Sequence, residues 1–355
     1  MEQLKHDETS IKPLVLVTGA TGMLGSRLLI DLFKKECRIR AIYREKQRIE
    51  QFESNVAAYA DCPAQLSAAI EWVKADLLDA VSMLEVLEGV DTVYHSAAMV
   101  SFDPARRKAM YRANIEGTHL LINAAIEKGV QRFCHVSSVA ALGKTENAEA
   151  INEETGWVPE QKNSGYSISK FHAEMEVWRG INEGLDAVIV NPSIILGPGE
   201  WESGSSAFFH QIYKGLKFYT RGETGFVDVR DVSAALVTLT NPQNWDKTKN
   251  QRFLLNASNH SYQEIFGKIA EVLRVPAPRI HARKPMLAVA WRAAWLLAKL
   301  SASSPLITRE SVSNSVKINR FDGSKITRIT GLNYRSIDDT IAEVGAMFLA
   351  SLKNK

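Results

Sequence analysis

The sequence predicts an α/β chain built on a doubly wound parallel sheet, with a smaller, mostly helical unit beside it. Three observations carry this expectation. Apolar stretches of strand length alternate with helix-periodic segments as far as Asn191, the first such pair is joined by a glycine-rich turn from Thr18 to Gly25, and past Pro192 the alternation stops. With 355 residues, 45% of them hydrophobic and 23% charged, the chain can bury one large α/β core and a companion.

Leu14-Val15-Leu16-Val17, with two β-branched valines, reads as a buried strand, and Met23 to Phe33 as a helix with its apolar face at Leu24, Leu28, Leu29 and Leu32. Cys37 to Tyr43 alternates as a second strand and runs into the charged segment Arg44 to Arg48. Residues 49–69 form a polar connection, helical around Pro63 to Ile70. Glu71–Asp76 is the third strand, Ala80–Leu87 a short helix and Asp91–His95 the fourth strand. Pro104 to Lys128 makes a long helix that Gly129 stops. Gln131–Ser138 is the fifth strand, Ile168–Glu183 a helix and Asp186–Asn191 the sixth strand. This alternation implies right-handed crossovers and hence a parallel sheet. Residues 193–224, rich in Gly, Ser and aromatics, read as a substrate-facing excursion. Gly225–Val232 leads into a helix through Thr240, Gln251–Asn256 returns as a last strand, and the chain from Ser258 is mostly helical. The expected division is a dinucleotide-binding domain at 1–191 and 225–257, and a substrate-binding domain at 192–224 and 258–355.

Composition narrows the function. The formal charge of +3 comes from 43 basic and 40 acidic residues, which gives no electrostatic case for nucleic acid. Cys37, Cys62 and Cys134 are widely spaced and form no metal or disulfide pattern, so a reducing, cytoplasmic setting is expected. Met1–Lys12 lacks the apolar core of a secretory signal and reads as a frayed leader. Met286–Leu300 is the most apolar stretch, with Trp291, Trp295, Leu296 and Leu297, but Arg292 and Lys299 interrupt it and it is too short to span a bilayer. Those two cations share one helix face, which leaves a broad apolar remainder for the smaller domain's core, a homodimer partner, a substrate wall or a membrane surface.

The chemistry sits in two places. A strand, a glycine turn (Gly19, Gly22, Gly25) and a helix let a phosphate approach bare N–H groups at a helix N-terminus, although a close strand-to-helix connection alone would use the same glycines. Tyr166 and Lys170 lie four apart on one helix face, so the ammonium can lower the phenol's pKa for proton exchange near neutral pH. A surface pair of no consequence has the same spacing. Ser137-Ser138 ends the fifth strand, at the sheet edge where ligands bind in open parallel sheets, and a hydroxyl there can bond a carbonyl or alkoxide; a turn-capping serine pair is the plainer alternative.

Taken together, TGATGMLG at 18–25, Asp76-Leu77, His95-Ser96-Ala97-Ala98, Asn114, VSSVAALG at 136–143, YSISK at 166–170, NPSIILGPG at 191–199 and FVDVRDV at 226–232 resemble the extended short-chain dehydrogenase/reductases, with a Rossmann-type sheet. The tail from Pro305 to Ile341 extends the likeness, which is nearest the branch of dihydroflavonol reductases and 3β-hydroxysteroid dehydrogenases. The resemblance implies that Ser138 polarises the substrate oxygen, Tyr166 is the acid/base, Lys170 bonds the nicotinamide ribose and restrains the tyrosine pKa, and Asn114 supports the proton path. It further implies that Gly19, Thr21, Gly22, Met23, Leu24 and Gly25 face the pyrophosphate. Asp76 and Leu77 would meet the adenine, Ala97 and Ala98 the middle of the cofactor, and Pro192, Ser193 and Ile195 the nicotinamide side. Where NAD enzymes of this kind carry an acidic residue after the second strand, this chain has Tyr43-Arg44, and Arg48 follows. An arginine suits a 2′-phosphate, so NADP is preferred over NAD.

The expected activity is hydride transfer between nicotinamide and a carbonyl or secondary alcohol. The alternatives are a nucleotide-sugar epimerase or dehydratase with tightly held NAD, for which 193–224 offers Arg221 to bind a diphosphate, and a non-catalytic dinucleotide sensor, against which Tyr166 and Lys170 speak. Trp201, Phe208, Phe209, Tyr213, Phe218 and Tyr219 point to an apolar or aromatic small-molecule substrate, or else to core packing.

Overall fold

The computed structural model describes residues 12–35, 37–57, 59, 63–144, 149–159, 163–301 and 308–353, without the side chains of 51, 54 and 295–301. All but Lys12 of the leader, Cys62, Pro305, and the side chains of Trp295, Leu296, Leu297 and Lys299 thus lie outside the described residues.

The first half alternates as its hydrophobic pattern requires: β1 (Leu14–Thr18), α1 (Met23–Phe33), β2 (Arg38–Tyr43), α2 (Gln47–Ala57), α3 (Pro63–Ala68), β3 (Ile70–Lys74), α4 (Ala80–Val86) and β4 (Thr92–His95). A continuous helical run follows, α5 (Arg107–Tyr111) passing through one π turn (Arg112–Glu116) into α6 (Gly117–Glu127), and then β5 (Arg132–Val136), α7 (Gly165–Asn182) and β6 (Ala187–Pro192). The polar connection expected at 49–69 holds a full helix, α2, because Phe52 and Val56 on its inner face are wholly buried. Helix α7 starts at Gly165, earlier than its apolar pattern suggests, because Ser164 caps it by accepting from Ser167 N.

Residues 193–224 are more regular than an irregular excursion: they hold β7 (Ile194–Leu196), α8 (Ala207–Tyr213) and β8 (Phe218–Tyr219). Next come β9 (Glu223–Asp228), α9 (Val229–Leu239), α10 (Pro242–Thr248), β10 (Gln251–Leu255), β11 (Ser258–Ser261) and α11 (Tyr262–Leu273). The chain ends with β12 (Ile280–His281), α12 (Lys284–Ser301), α13 (Arg309–Ser315), α14 (Ser324–Thr330) and α15 (Ile337–Lys353).

Seven parallel strands form the main sheet in the order β10-β6-β5-β4-β1-β2-β3. The chain moves outward one way from β1 through β2 and β3, then crosses to β4 on the other side, so a topological switch point lies between β1 and β4. One face packs α1 and α9 through residues such as Leu28, Val190 and Leu236, and the other packs α4, α6 and α7 through Leu16, Leu121, Phe133 and Val177. A second core joins Phe209, Phe226, Ile269, Val344 and Phe348, beneath the small sheet β11-β9-β7. The last helices divide between the two cores: α11 and α15 build the second, whereas Ile326 of α14 sits in the first. The FVDVRDV motif joins them, since Asp228 caps α9 through Arg230 N and accepts from Thr340 of α15 at 2.8 Å.

Two histidines lie inside the sheet's helix-covered face. His95 and His135 are paired across β4 and β5, are 1% exposed and have ring centroids 5.2 Å apart. His95 Nδ1 lies 2.7 Å from Thr18 Oγ1, and its Nε2 lies 2.9 Å from Thr118 Oγ1. Thr118 donates its one proton to Asn114 O at 2.6 Å, so it accepts from His95 Nε2–H, and Nδ1 is left to accept from Thr18. The network therefore fixes a neutral His95. Burial and the nearby Lys170 push its pKa down to about 3, and burial, His95 and Lys170 push His135 well below its ordinary value.

The sign of the pH dependence follows. Between pH 6.5 and 3 the unfolded chain binds protons at both histidines that the folded chain refuses, so stability is lost as pH falls through this window. In melting curves from pH 7 down to pH 5, His135→Phe is expected to lose melting temperature less steeply than the wild type; parallel slopes would remove His135 from the account.

Candidate active site

Steric constraints at the glycine turn come from the protein at two of its three glycines. Gly19 has φ +68°, and a Cβ there would lie 2.6 Å from Ala97 N; at Gly25 it would lie 2.1 Å from Gly19 O. Gly25 thus brings α1 against the turn. Gly22 differs, because a Cβ there meets only Gly19 O, at 3.4 Å. It begins α1 with no side-chain cap and no acidic residue in the first turn, while Thr21 O accepts from Asn55 at 3.4 Å. A helix N-terminus open to solvent at a bare glycine fits a pyrophosphate. The turn therefore fits the dinucleotide that the motif implies.

Ser138, Tyr166 and Lys170 border one cavity of about 520 Å³ at the carboxyl edge of the sheet. Of the residues expected to hold cofactor, Met23, Leu24, Ala98, Pro192, Ser193 and Ile195 also border it. Arg44 follows β2, Asp76-Leu77 lies just past β3 and Ala97 follows β4, so these stand along the same strand ends outside the cavity lining. Arg44 and Asp76 are exposed. Asp76 accepts from Leu78 N, and Ala97 N donates to Thr18 Oγ1 at 3.2 Å.

Burial raises the Tyr166 pKa, and a hydrogen bond from Ser138 opposes that rise. Ser138 Oγ also accepts from Ala140 N at 3.1 Å. Lys170 is directed elsewhere: its Nζ donates to Val136 O at 2.8 Å. Burial lowers its pKa to about 8, and Glu174, one turn further along α7, acts in the opposite sense. In this state Ser138 is thus the polar group acting on the phenol, where the Tyr166–Lys170 spacing had suggested the ammonium.

Asn114 lies in the π turn, buried. It accepts from Met99 N at 2.7 Å and donates to Met99 O at 2.9 Å and to Ser169 Oγ at 3.0 Å. It stands behind the cavity, fastening the segment after β4 to α7.

Glu174 was not legible as a site residue. Its carboxylate is buried, accepting from Ser137 Oγ at 2.7 Å and Asn191 Nδ2 at 2.8 Å, and it pairs with Arg252 of β10 at 3.2 Å. Asn191 also donates to Ser138 O at 3.1 Å. One carboxylate therefore fixes the ends of β5 and β6, where Ser138 and Pro192 stand. Its only sequence signal is an i+4 spacing from Lys170, which any exposed helix shares.

The aromatic side chains of 193–224 do not line the cavity. Phe209 is wholly buried in the second core, Trp201 and Phe208 pack against that core, and Tyr213 and Phe218 are exposed. Tyr219 lies against His281. The cavity's aromatic wall comes from Phe102, which meets Tyr166 edge-on at 5.9 Å, and from Trp157, Tyr262 and Phe321. These four come from separate segments, so no local pattern announced them.

The profile of the NAD dependent epimerase/dehydratase family matches residues 15–251, from β1 into β10. The chain belongs to this family. Among curated relatives, a putative dihydroflavonol 4-reductase from Synechocystis sp. is 29% identical over 333 residues, covering 92% of each chain. Sterol demethylase protein B from Methylococcus capsulatus is 32% identical over 270 residues, covering 75% of this chain and 76% of its own. The crystal structure of gox2253 superposes with a TM-score of 0.77 at 27% identity, covering 96% of this chain and 99% of that one. Within the epimerase/dehydratase family this protein is an NAD(P)-dependent oxidoreductase of the extended short-chain dehydrogenase/reductase type.

Glu174→Gln keeps the shape but removes the charge opposite Arg252: Ser137 and Asn191 share one carboxylate oxygen, so a glutamine that keeps its oxygen there turns its amide NH2 toward the guanidinium. Loss of a buried partner of this kind costs about 3 kcal/mol. Urea unfolding is expected to show a loss of that order together with lower kcat; a loss within about 0.5 kcal/mol, as for an ordinary surface change, would reduce Glu174 to a bystander.

Proposed function

We propose that this protein is an NADPH-dependent reductase of an apolar or aromatic carbonyl compound, working reversibly on the corresponding secondary alcohol. The observation that carries the reading is the meeting of Ser138, Tyr166 and Lys170 on one cavity at the strand ends that follow the glycine turn. The cofactor, when bound, supplies or accepts the hydride. Gly19, Gly22 and Gly25 would hold its pyrophosphate, Asp76 and Leu77 its adenine, and Ser193, whose buried hydroxyl has no partner among the described residues, its nicotinamide side.

Ser138 donates to the substrate oxygen and aligns the carbonyl. Tyr166 delivers the proton from its phenol as negative charge grows on that oxygen, and recovers one afterwards. Its raised pKa keeps the phenol protonated and ready to donate. Lys170, buried and held on Val136 O, takes the nicotinamide ribose, as the motif implies. Asn114 keeps α7 and the segment after β4 in register. The residues at 192–224 and much of 258–355 form the substrate side, with Phe102 and Trp157 added from the nucleotide half. The free thiols of Cys37 and Cys134 support a reducing, cytoplasmic setting.

The preference for NADP rests on Arg44, exposed at the end of β2 with no carboxylate in its place. Against a nucleotide-sugar substrate stands Arg221, which is exposed and away from the cavity lining.

Two measurements test this. Tyr166→Phe is expected to abolish NADPH-dependent reduction across a panel of aromatic carbonyl compounds while changing NADPH affinity by less than about twofold; full turnover in the variant would end the mechanism. In fluorescence titrations the wild type is expected to bind NADPH more tightly than NADH, and Arg44→Asp to weaken NADPH by about tenfold or more. Firmly bound NAD in the purified protein, with no net NADPH oxidation, would favour the epimerase/dehydratase alternative.

A further inference from the structure

Between Glu271 and Glu310 the sequence holds no acidic residue, while Arg279, Arg283, Lys284, Arg292 and Lys299 all fall inside the interval. Against 43 basic and 40 acidic residues in the whole chain, this is a local concentration of one sign. Helix α12 occupies its middle and leans on α13. The outward side of α12 is apolar: Met286 is 41% exposed and Val289 69%, and Ala293 is exposed as well. Steps of three and four residues put these in one stripe, and the sequence continues the same steps at Leu296 and Leu300. At 3.6 residues per turn, Arg292 and Lys299 fall about a quarter turn to one side of this stripe and Arg283, at the start of α12, about a quarter turn to the other, while Lys284 lies on the far side of the helix. The Arg292 guanidinium lies over the Trp291 ring, 4.4 Å from its centre. Just before α12, Phe218 and Ile280 are direct partners in the β8–β12 ribbon and are 44% and 43% exposed.

Single exposed apolar side chains are ordinary. A continuous apolar stripe edged by cations alone is the pattern of a helix that lies in a membrane interface. Among the described residues no helix is long and apolar enough to cross a membrane, so such a helix would lie on the surface. A second copy of this chain would set like charges against one another. An anionic bilayer meets both features at once, its phosphates facing the cations and its acyl boundary receiving the stripe.

We propose that α12 forms a docking face for an anionic lipid bilayer. The face lies one helix from the active site, since Asn314 of α13 and Lys317 just beyond it line the cavity. Docking brings the cavity near the phase in which an apolar substrate dissolves. It is independent of the catalytic reading, because binding to lipid is measured without turnover.

The test is co-sedimentation of the full chain with phosphatidylcholine vesicles that contain or lack phosphatidylglycerol, at low and high salt. The unaltered protein is expected to sediment with the anionic vesicles at low salt and to be released by high salt. Arg283→Glu/Arg292→Glu is expected to weaken binding by about tenfold or more. Met286→Asp/Val289→Asp, at exposed positions, is expected to abolish it while NADPH oxidation with a water-soluble carbonyl stays unchanged. Failure of the unaltered protein to bind anionic vesicles, or equal binding by both variants, overturns the proposal. So does a dimer in light scattering that Met286→Asp/Val289→Asp breaks in the absence of vesicle binding, which would make the face a contact between copies.

Discussion

A single directed chain of hydrogen bonds ties the nucleotide end of the sheet to the catalytic helix. Thr18 donates to His95, His95 to Thr118, and Thr118 to Asn114 O. The Asn114 amide donates to Ser169, and Ser169 donates to Tyr166 O at 2.8 Å. Every hydroxyl in it has its one proton committed. Buried polar groups in such a chain are costly to leave unpaired, so the chain admits few alternatives once any member is placed. The backbone around Tyr166 is therefore positioned from β1, and the same Thr18 accepts from Ala97 N beside the glycine turn. The glycine turn and Tyr166 share one anchor.

Two local features make this chain fit. Gly19 can approach Ala97 only because it has no Cβ, and that approach brings the ends of β1 and β4 close enough for Thr18 to bridge them. The π turn at Arg112–Glu116 interrupts the regular ladder at Asn114, whose side chain secures both polar groups of Met99. Glu174 performs a similar task one strand over, holding the ends of β5 and β6. Tyr166, the proposed proton donor, and Ser138, proposed to bind the substrate oxygen, are thus braced from opposite sides of α7 by separate networks, which is how a preorganised site keeps its geometry before substrate arrives.

Sequence legibility followed the range of the interactions. The parallel sheet was readable because buried strands and amphipathic helices leave local periods, and the glycine turn because its three glycines repeat every third residue between a strand and a helix, although the contact that Gly19 makes with Ala97 is not local. Helix α2 was hidden by its polar composition, although Ile49, Phe52 and Val56 carry the right spacing. Strand β7, three residues long, was hidden by its length, and β9 because Gly225 and Asp228 break its apolar run into the start of α9. Glu174 shows its character only through Asn191 and Arg252, and His95 only through Thr118, contacts that no window of sequence contains. The aromatic residues of 193–224 left two readings open for the same reason: an aromatic at helical spacing looks alike whether it faces a ligand or, like Phe209, a second core.

The two sides of the cavity are built on different principles. The nucleotide side depends on backbone: positive φ at Gly19, bare Gly22, strand ends in a fixed register. All of these lie within residues 15–251, the stretch the family profile matches. The substrate side depends on side chains delivered from far apart, Phe102 after β4, Trp157 before α7, Tyr262 at the start of α11 and Phe321 after α13. Each can change without disturbing the chain from Thr18 to Tyr166, because none of them takes part in it. Single exchanges in this wall can therefore leave the network from Thr18 to Tyr166 intact, which is how one family fold can serve different substrates.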